Sequence, residues 1–245
     1  MNTVEAIFLN NKKNEIDKWT NYFDIYQEIF STHVGKSPKI LEIGVNHGGG
    51  INLWREFFGE GSEIYGIDIN RECLKFNDIE NVHIFIGSQE NEEFLKEFSN
   101  LTPDFDIIID DGGHTMNQQI TSLKCLFPKL KDGGIYLCED THTSYLPKWG
   151  GMFRMPGTFL EFCKDLIDLV NIHHIRDQKL SFEIKDLYNI SFYSGITVFC
   201  KKKIKKPTPI KKGVEVLKNQ YETVKEKPFS LKNRFIRYLR IKFKI

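Results

Sequence analysis

Phe105-Asp106-Ile107-Ile108-Ile109-Asp110-Asp111-Gly112-Gly113-His114 is the stretch that decides the fold. Its apolar run, broken only by Asp106, reads as a strand buried on both faces of a parallel sheet, and it stops abruptly in acids. Gly133-Gly134-Ile135-Tyr136-Leu137-Cys138 ends the same way, in Glu139-Asp140. A third run, Lys39-Ile40-Leu41-Glu42-Ile43, leads into Gly44 and the loop Val45-Asn46-His47-Gly48-Gly49-Gly50. Open α/β sheets bind ligands at the carboxyl ends of their strands, so these three ends describe one cleft.

Working outward, strand-like runs recur at Glu63 to Ile67 and Val82 to Ile86. Helical patterns lie between the runs, at Ile51 to Phe58, Arg71 to Phe76, Glu90 to Phe98 and Met116 to Phe127. Such alternation predicts a doubly wound, Rossmann-like α/β sheet. Near the end, Ile190-Ser191-Phe192-Tyr193 and Ile196-Thr197-Val198-Phe199 flank Ser194-Gly195, a gap that predicts a hairpin. The expectation is a seven-stranded sheet, mostly parallel with a terminal antiparallel hairpin. It occupies residues 37–203, between a helical cap over 1–36 and a tail over 204–245.

No apolar run is long enough to span a bilayer, and the start lacks a basic segment of the export type. A cytoplasmic protein is expected. The five cysteines are scattered, odd in number and free of any CxxC pair, which argues for reduced thiols over a disulfide framework or zinc site. The net charge of +1 hides an asymmetry, since residues 201–245 hold sixteen Lys or Arg against three Glu, leaving −12 on residues 1–200.

Several pieces of this sequence, in order, resemble one family: Asp17-Lys18 followed by Tyr22 and Tyr26, Leu41-Glu42-Ile43-Gly44-Val45 with its triple glycine, Gly66-Ile67-Asp68, Gly87-Ser88-Gln89, Asp110-Asp111-Gly112-Gly113-His114, Leu126-Phe127-Pro128, and Glu139-Asp140-Thr141-His142-Thr143-Ser144-Tyr145. Each is weak alone, and their order and spacing together are specific. From about Asp17 to Lys201 the chain resembles class I S-adenosylmethionine-dependent methyltransferases. The branch is that of metal-dependent sugar O-methyltransferases of the macrocin and mycinamicin type, with rhamnosyl O-methyltransferases and proteins labelled cephalosporin hydroxylase. Gly113 departs from the pattern, because relatives often carry serine there.

In the first strand-to-helix turn, glycine lets backbone approach a ligand and the helix N-terminus offers free N–H groups. The spacing Gly44-x-x-x-Gly48 is not GxGxxG, and Asn46-His47 would crowd a pyrophosphate, which favours S-adenosylmethionine over NAD. Asp68, at the end of its strand, is placed to accept from ribose hydroxyls, as its counterpart does in the resembled family. Glu42 lies inside a strand, where a lone acid needs a partner such as the cofactor's amino group. By resemblance Ser88 and Gln89 lie near the adenine, with an ordinary loop as the competing reading. Asp110, facing the cofactor side or the core, and Tyr22 complete the expected cofactor set.

Asp111, Glu139 and Asp140 form a hard-oxygen set suited to Mg²⁺. The resemblance implies the same three as Mg²⁺ ligands. Neighbours in a strand point to opposite faces, so both Glu139 and Asp140 can ligate only if the chain turns there. A cation would acidify an acceptor hydroxyl, and His114, three residues after Asp111, is the candidate general base. A structural histidine capping the next helix is the bland alternative. His142 is expected to bind substrate or to support the turn, and Tyr145, Trp149, Gly150 and Gly151 read as a substrate-side loop, with simple aromatic packing as the alternative. His33, His47, His83, His173 and His174 fit no ligand spacing.

The expected activity is Mg²⁺-dependent O-methylation of a sugar or glycan hydroxyl, on a surface polysaccharide or a natural-product glycoside. Competing readings are methylation of a non-sugar hydroxyl such as a catechol, a non-catalytic binding module, and a hydroxylase. The last would need two histidines and one carboxylate around iron. The basic tail carries Phe235, Ile236, Leu239 and Phe243 on one helical face with Arg234, Arg237 and Arg240 beside it, a pattern suited to peripheral contact at an inner membrane face. A solvated tail, an edge strand or a partner subunit are the alternatives. No specific nucleic-acid partner is expected, and a homo-oligomer is.

Overall fold

The structure of the protein, a computed structural model, describes residues 3–175 and 184–214. Residues 1–207 form one compact unit and 208–245 a second, of which 208–214 are described and exposed. The amphipathic pattern around Phe235 to Phe243 lies outside the described residues. Among the described residues no helix is long and apolar enough to cross a membrane.

Seven strands form one sheet: β1 (Lys39–Ile43), β2 (Glu63–Asp68), β3 (Val82–Ile86), β4 (Phe105–Asp110), β5 (Leu130–Cys138), β6 (Leu187–Phe192) and β7 (Thr197–Lys201). Their order is β3-β2-β1-β4-β5-β7-β6. β1 to β5 pair in parallel, and β7 lies antiparallel between β5 and β6. The hairpin closes where Tyr193 N–H donates to Ile196 O at 2.8 Å, with Gly195 at φ +82°.

Alternation along β4 builds two cores. Ile107 and Ile109 enter a cluster with α1 (Val4–Leu9), α2 (Tyr22–Phe30) and α3 (Gly49–Phe58), where Tyr26, Phe30, Trp54 and Phe58 meet. Ile108 enters the opposite cluster with α4 (Glu92–Leu101), α5 (Met116–Leu126), α6 (Phe159–Asp165) and α7 (Ile167–Val170). Each fully buried large apolar side chain contributes about 1.5–3 kcal/mol. The N-terminal segment shares this first core with the sheet. Local chemistry starts the helices: Asn91 Oδ1 accepts from Glu93 and Phe94 N–H before α4, and Thr115 with Gln118 forms a capping box before α5.

Several bounds differ from expectation, β6 starting at Leu187 rather than Ile190 among them, and two of the differences have a plain cause. β5 starts at Leu130 rather than Ile135, because Lys131-Asp132-Gly133-Gly134 carries no apolar signal although Lys131 pairs with Asp106 at 2.6 Å. Arg71–Asp78 is a 3-10 helix, whose buried Cys73 and Phe76 are three apart, the period of that helix.

The ladder extends past the strand ends and so aligns the site. Gly44 N–H donates to Ile67 O (2.9 Å), Asp111 N–H to Ile43 O (3.0 Å) and Glu139 N–H to Asp110 O (2.9 Å). At Gly44, φ is +90° and a Cβ would collide with the Asp111 carbonyl, so only glycine lets β1 and β4 deliver their ends this close.

Candidate active site

A cavity of about 430 Å³ opens at the carboxyl ends of β1 to β4. Its wall includes Glu42, Gly44, Asp68, Ser88, Gln89, Asp111, His114 and Asp140 from the expected set, and Glu15, Ile16, Asp17 and Lys18 from a segment crossing over the N-terminus of α3. Gly48 sits just behind the wall as the residue before α3, at φ +77°, while Gly49 and Gly50 line it.

Glu42 is buried, and Trp54 Nε1 donates to its Oε1 at 3.0 Å while Oε2 has no partner. Burial pushes its carboxyl up to about 7, against the pull of Lys18 and the indole. An orphaned buried carboxylate oxygen in a cavity wall fits a cationic ligand group. The bare Cα of Gly50 makes the room, since a side chain there would strike Glu42.

Asp68 spends each oxygen on loop backbone, Oδ2 accepting from Asn46 N–H and Oδ1 from Asn70 N–H, both at 2.8 Å. This shapes the rim and leaves lone pairs toward the cavity. Ser88 is half-buried in the wall. Gln89 is bound up internally: its Nε2 donates to Asp110 Oδ1 and Ser122 Oγ, both at 3.0 Å, and its Oε1 accepts from Gly113 N–H at 2.7 Å. Asp110 lies behind the wall, accepting also from the Tyr136 hydroxyl at 2.7 Å, and burial pushes it up to about 6. Tyr22 is likewise outside the wall. Its hydroxyl donates to Asp140 Oδ1 (2.6 Å) and accepts from Asp140 N–H (3.2 Å), an acid-supporting position rather than a cofactor contact.

Asp111, His114 and Asp140 each offer one ligand atom within 4.8 Å of the others. His114 Nε2 lies 3.4 Å from Asp140 Oδ2 and 3.9 Å from Asp111 Oδ1. The chain does turn after Glu139: Asp140 adopts φ +52° and His114 φ +56°, left-handed conformations that side-chain-bearing residues rarely take. Thr143 Oγ1 lies 2.9 Å from His114 O and 2.8 Å from Asp140 O, tying both turns together.

Glu139 stands apart from that trio. Only 1% of its side chain is exposed, and its Oε2 accepts from Lys18 Nζ at 2.8 Å. The same ammonium pairs with Asp111 Oδ2. Burial alone would lower Lys18, but the two carboxylates outweigh it and hold it well above its ordinary value. Burial and the charge of Asp111 push Glu139 upward, because one ammonium cannot neutralise two acids and the deeper one takes up a proton more readily. Asp111 and Asp140 present hard oxygens that, with water, fit Mg²⁺, and Glu139 beside them keeps its Oε1 without a partner, since Lys18 occupies one oxygen each of Asp111 and Glu139.

His142 and Tyr145 lie outside the cavity wall. His142 Nδ1 is 3.9 Å from Asp140 Oδ1, with its ring against Trp19, and exposed Tyr145 packs on Phe153. Sequence reasoning assigned no role to Lys18 or to Trp19, whose Nε1 donates to Asp140 Oδ1 at 3.0 Å. The available signal was charge balance: so many carboxylates at neighbouring strand ends require a buried cation.

Residues 41–141 match a family model described as a methyltransferase domain. The chain is 35% identical over 155 residues to mycinamicin VI 2''-O-methyltransferase of Micromonospora griseorubida, covering 59% of this chain and 38% of that protein. It is 31% identical over 179 residues to demethylmacrocin O-methyltransferase of Streptomyces fradiae, covering 69% and 44%. The chain thus spans less than half the length of these relatives. The structure is similar to MycE methyltransferase from the mycinamycin biosynthetic pathway in complex with Mg, SAH and mycinamycin VI, with TM-score 0.70 and 26% identity over 82% of this chain and 53% of that one.

Two measurements check the electrostatics. Lys18→Met, leaving Glu139 and Asp111 without a cation, should lower stability in urea unfolding of metal-free protein by about 3–5 kcal/mol, and adding Glu139→Gln should restore part of it. For Glu42 the native carboxyl, at about 7 against an unfolded 4.5, binds more protons than the unfolded one between those values. Its contribution to stability therefore falls as pH rises through that window. Relative to Glu42→Gln, the cofactor-free wild type should lose roughly 3 kcal/mol between pH 4.5 and 7.5, read by urea unfolding at each pH.

Proposed function

We propose, from the premise that this chain is built on a class I methyltransferase domain, that it transfers a methyl group from S-adenosylmethionine to a hydroxyl of a sugar-bearing acceptor with the aid of Mg²⁺. One observation carries the reading: His114 Nε2 stands against Asp111 and Asp140 in the wall of a ligand-sized cavity that Glu42, with its unpartnered Oε2, also lines. The relatives named as mycinamicin VI 2''-O-methyltransferase and demethylmacrocin O-methyltransferase, and the neighbour in complex with Mg, SAH and mycinamycin VI, support the substrate class and both cofactors.

Glu42 receives the amino group of the methionine portion, Asp68 the ribose hydroxyls, and the Ser88–Gln89 turn flanks the base. Asp111 and Asp140 hold the metal through oxygen, and Glu139, with one oxygen on Lys18 and the other unpartnered, is the third carboxylate of the set. When bound, the two groups supply an electrophilic sulfonium methyl and a positive charge that acidifies the acceptor hydroxyl. His114 takes the hydroxyl proton at Nε2, which requires that this nitrogen stay off the metal. Asp140 Oδ2, 3.4 Å from that nitrogen, stabilises the imidazolium that forms. The walls orient acceptor oxygen and methyl for in-line attack.

The hydroxylase alternative is disfavoured by the donor set, which pairs one histidine with two carboxylates rather than the reverse.

Incubation with labelled S-adenosylmethionine and a panel of methyl glycosides, nucleotide sugars and catechols should give a labelled glycoside, lost in EDTA and recovered with Mg²⁺. Full activity in EDTA, or label on catechols alone, would refute the corresponding part. His114→Ala should lower kcat by roughly 10²–10⁴ with cofactor affinity nearly unchanged by calorimetry. Wild-type turnover from pH 6 to 9 in that variant would remove His114 as the base.

A further inference from the structure

Three tryptophans occur in the chain, and they are used differently. Trp54 is fully buried in the core. Trp19 is 57% exposed, yet its indole N–H is bound to Asp140 Oδ1 at 3.0 Å and its ring meets His142 edge-on at 5.6 Å. Trp149 is half-buried and meets the His114 ring edge-on at 5.7 Å, with Lys148 Nζ 5.3 Å over its face. Two indoles thus touch the Asp140–His114 pair directly or through one neighbour. Neither lines the cofactor-sized cavity.

An indole left in water forfeits the stabilisation its burial would bring, and one hydrogen bond to a carboxylate does not by itself require so large a ring. What the bond does is hold the ring in one orientation beside the reacting groups. A flat, rigid, apolar surface that loses little entropy on contact is what a pyranose needs on its C–H face, while its hydroxyls reach the acids and imidazole at the edge. The same bond acts on Asp140. With Oδ1 engaged by Trp19 and by the Tyr22 hydroxyl at 2.6 Å, Oδ2 is the oxygen left toward His114.

We propose that Trp19 positions Asp140 through its N–H and, with Trp149, forms the platform on which the acceptor's sugar ring stacks. This rests on the sugar O-methyl transfer reading. One side chain from the N-terminal segment thus acts on both Asp140 orientation, together with Tyr22, and acceptor affinity, together with Trp149.

The two roles separate in kinetics. Trp19→Phe keeps a stacking ring and loses the donor, so kcat for the best-turned-over methyl glycoside should fall about tenfold with KM changed little. Trp19→Ala should in addition raise KM about tenfold, and Trp149→Ala should raise KM chiefly. A binding readout needs no turnover. In full-length protein loaded with S-adenosylhomocysteine and Mg²⁺, that glycoside should shield tryptophan emission from iodide quenching, and the shielding should shrink in Trp19→Phe, with buried Trp54 as constant background. Wild-type kcat and KM in both Trp19 variants, or glycoside binding that leaves quenching unchanged, would overturn the proposal. A wild type that methylates catechols and no glycoside would refute the sugar reading, and the platform with it, before any variant is made.

Discussion

Two acids from adjacent parallel strands cannot both be ionised out of water unless something positive lies between them. β4 and β5 run in register up to Asp110 beside Cys138, so Asp111 and Glu139 arrive side by side at the spacing of neighbouring strands, about 4.8 Å. At that separation and burial, like charges repel strongly, and the remedies are a proton or a counter-cation. Lys18 is the cation, 3% exposed and bound to both. Its neighbours Trp19 and Tyr22 attend to the third acid, Asp140. Every carboxylate of the cluster therefore has a donor from the same short N-terminal segment, which makes that segment part of the site and not a cover over it.

The geometry also depends on strain. A strand that simply continued past Glu139 would send Asp140 to the opposite face of the sheet. The left-handed residue there reverses this, and a second one at His114 does the same after β4. Each such conformation costs on the order of 1–3 kcal/mol. Thr143, buried and shared between the carbonyls of His114 and Asp140, is one local device that holds the two turns against each other.

Local pattern made the sheet legible. β1 and β3 run as their apolar runs predict, and the cavity opens where three strand ends stop in acids or glycine. The start of β5 escapes the apolar pattern because the stretch from Lys131 to Gly134 is an irregular part of the strand, tied to β4 by a cross-strand ion pair instead of apolar side chains. The interior of the site was harder. Lys18 meets its partners across 93 and 121 residues of chain, a relation no local window contains. Position in a motif points Tyr22 to the cofactor side and leaves Asp110 between cofactor and core, whereas their hydrogen bonds face Asp140 and Gln89. Which face of a strand end a polar side chain takes depends on the partner that waits there.

The stretch matched as a methyltransferase domain begins at residue 41, and Lys18, Trp19 and Tyr22 all precede it. The stretch that the family model matches is thus shorter than the physical unit that balances its own charge. The strand ends could be exchanged between relatives as a cassette only along with a compatible leading segment, since the buried acids of one copy demand the cation of its own N-terminal residues. A change at Glu139 or Asp111 in this chain therefore alters the charge that residue 18 has to balance, although the residues lie far apart along it.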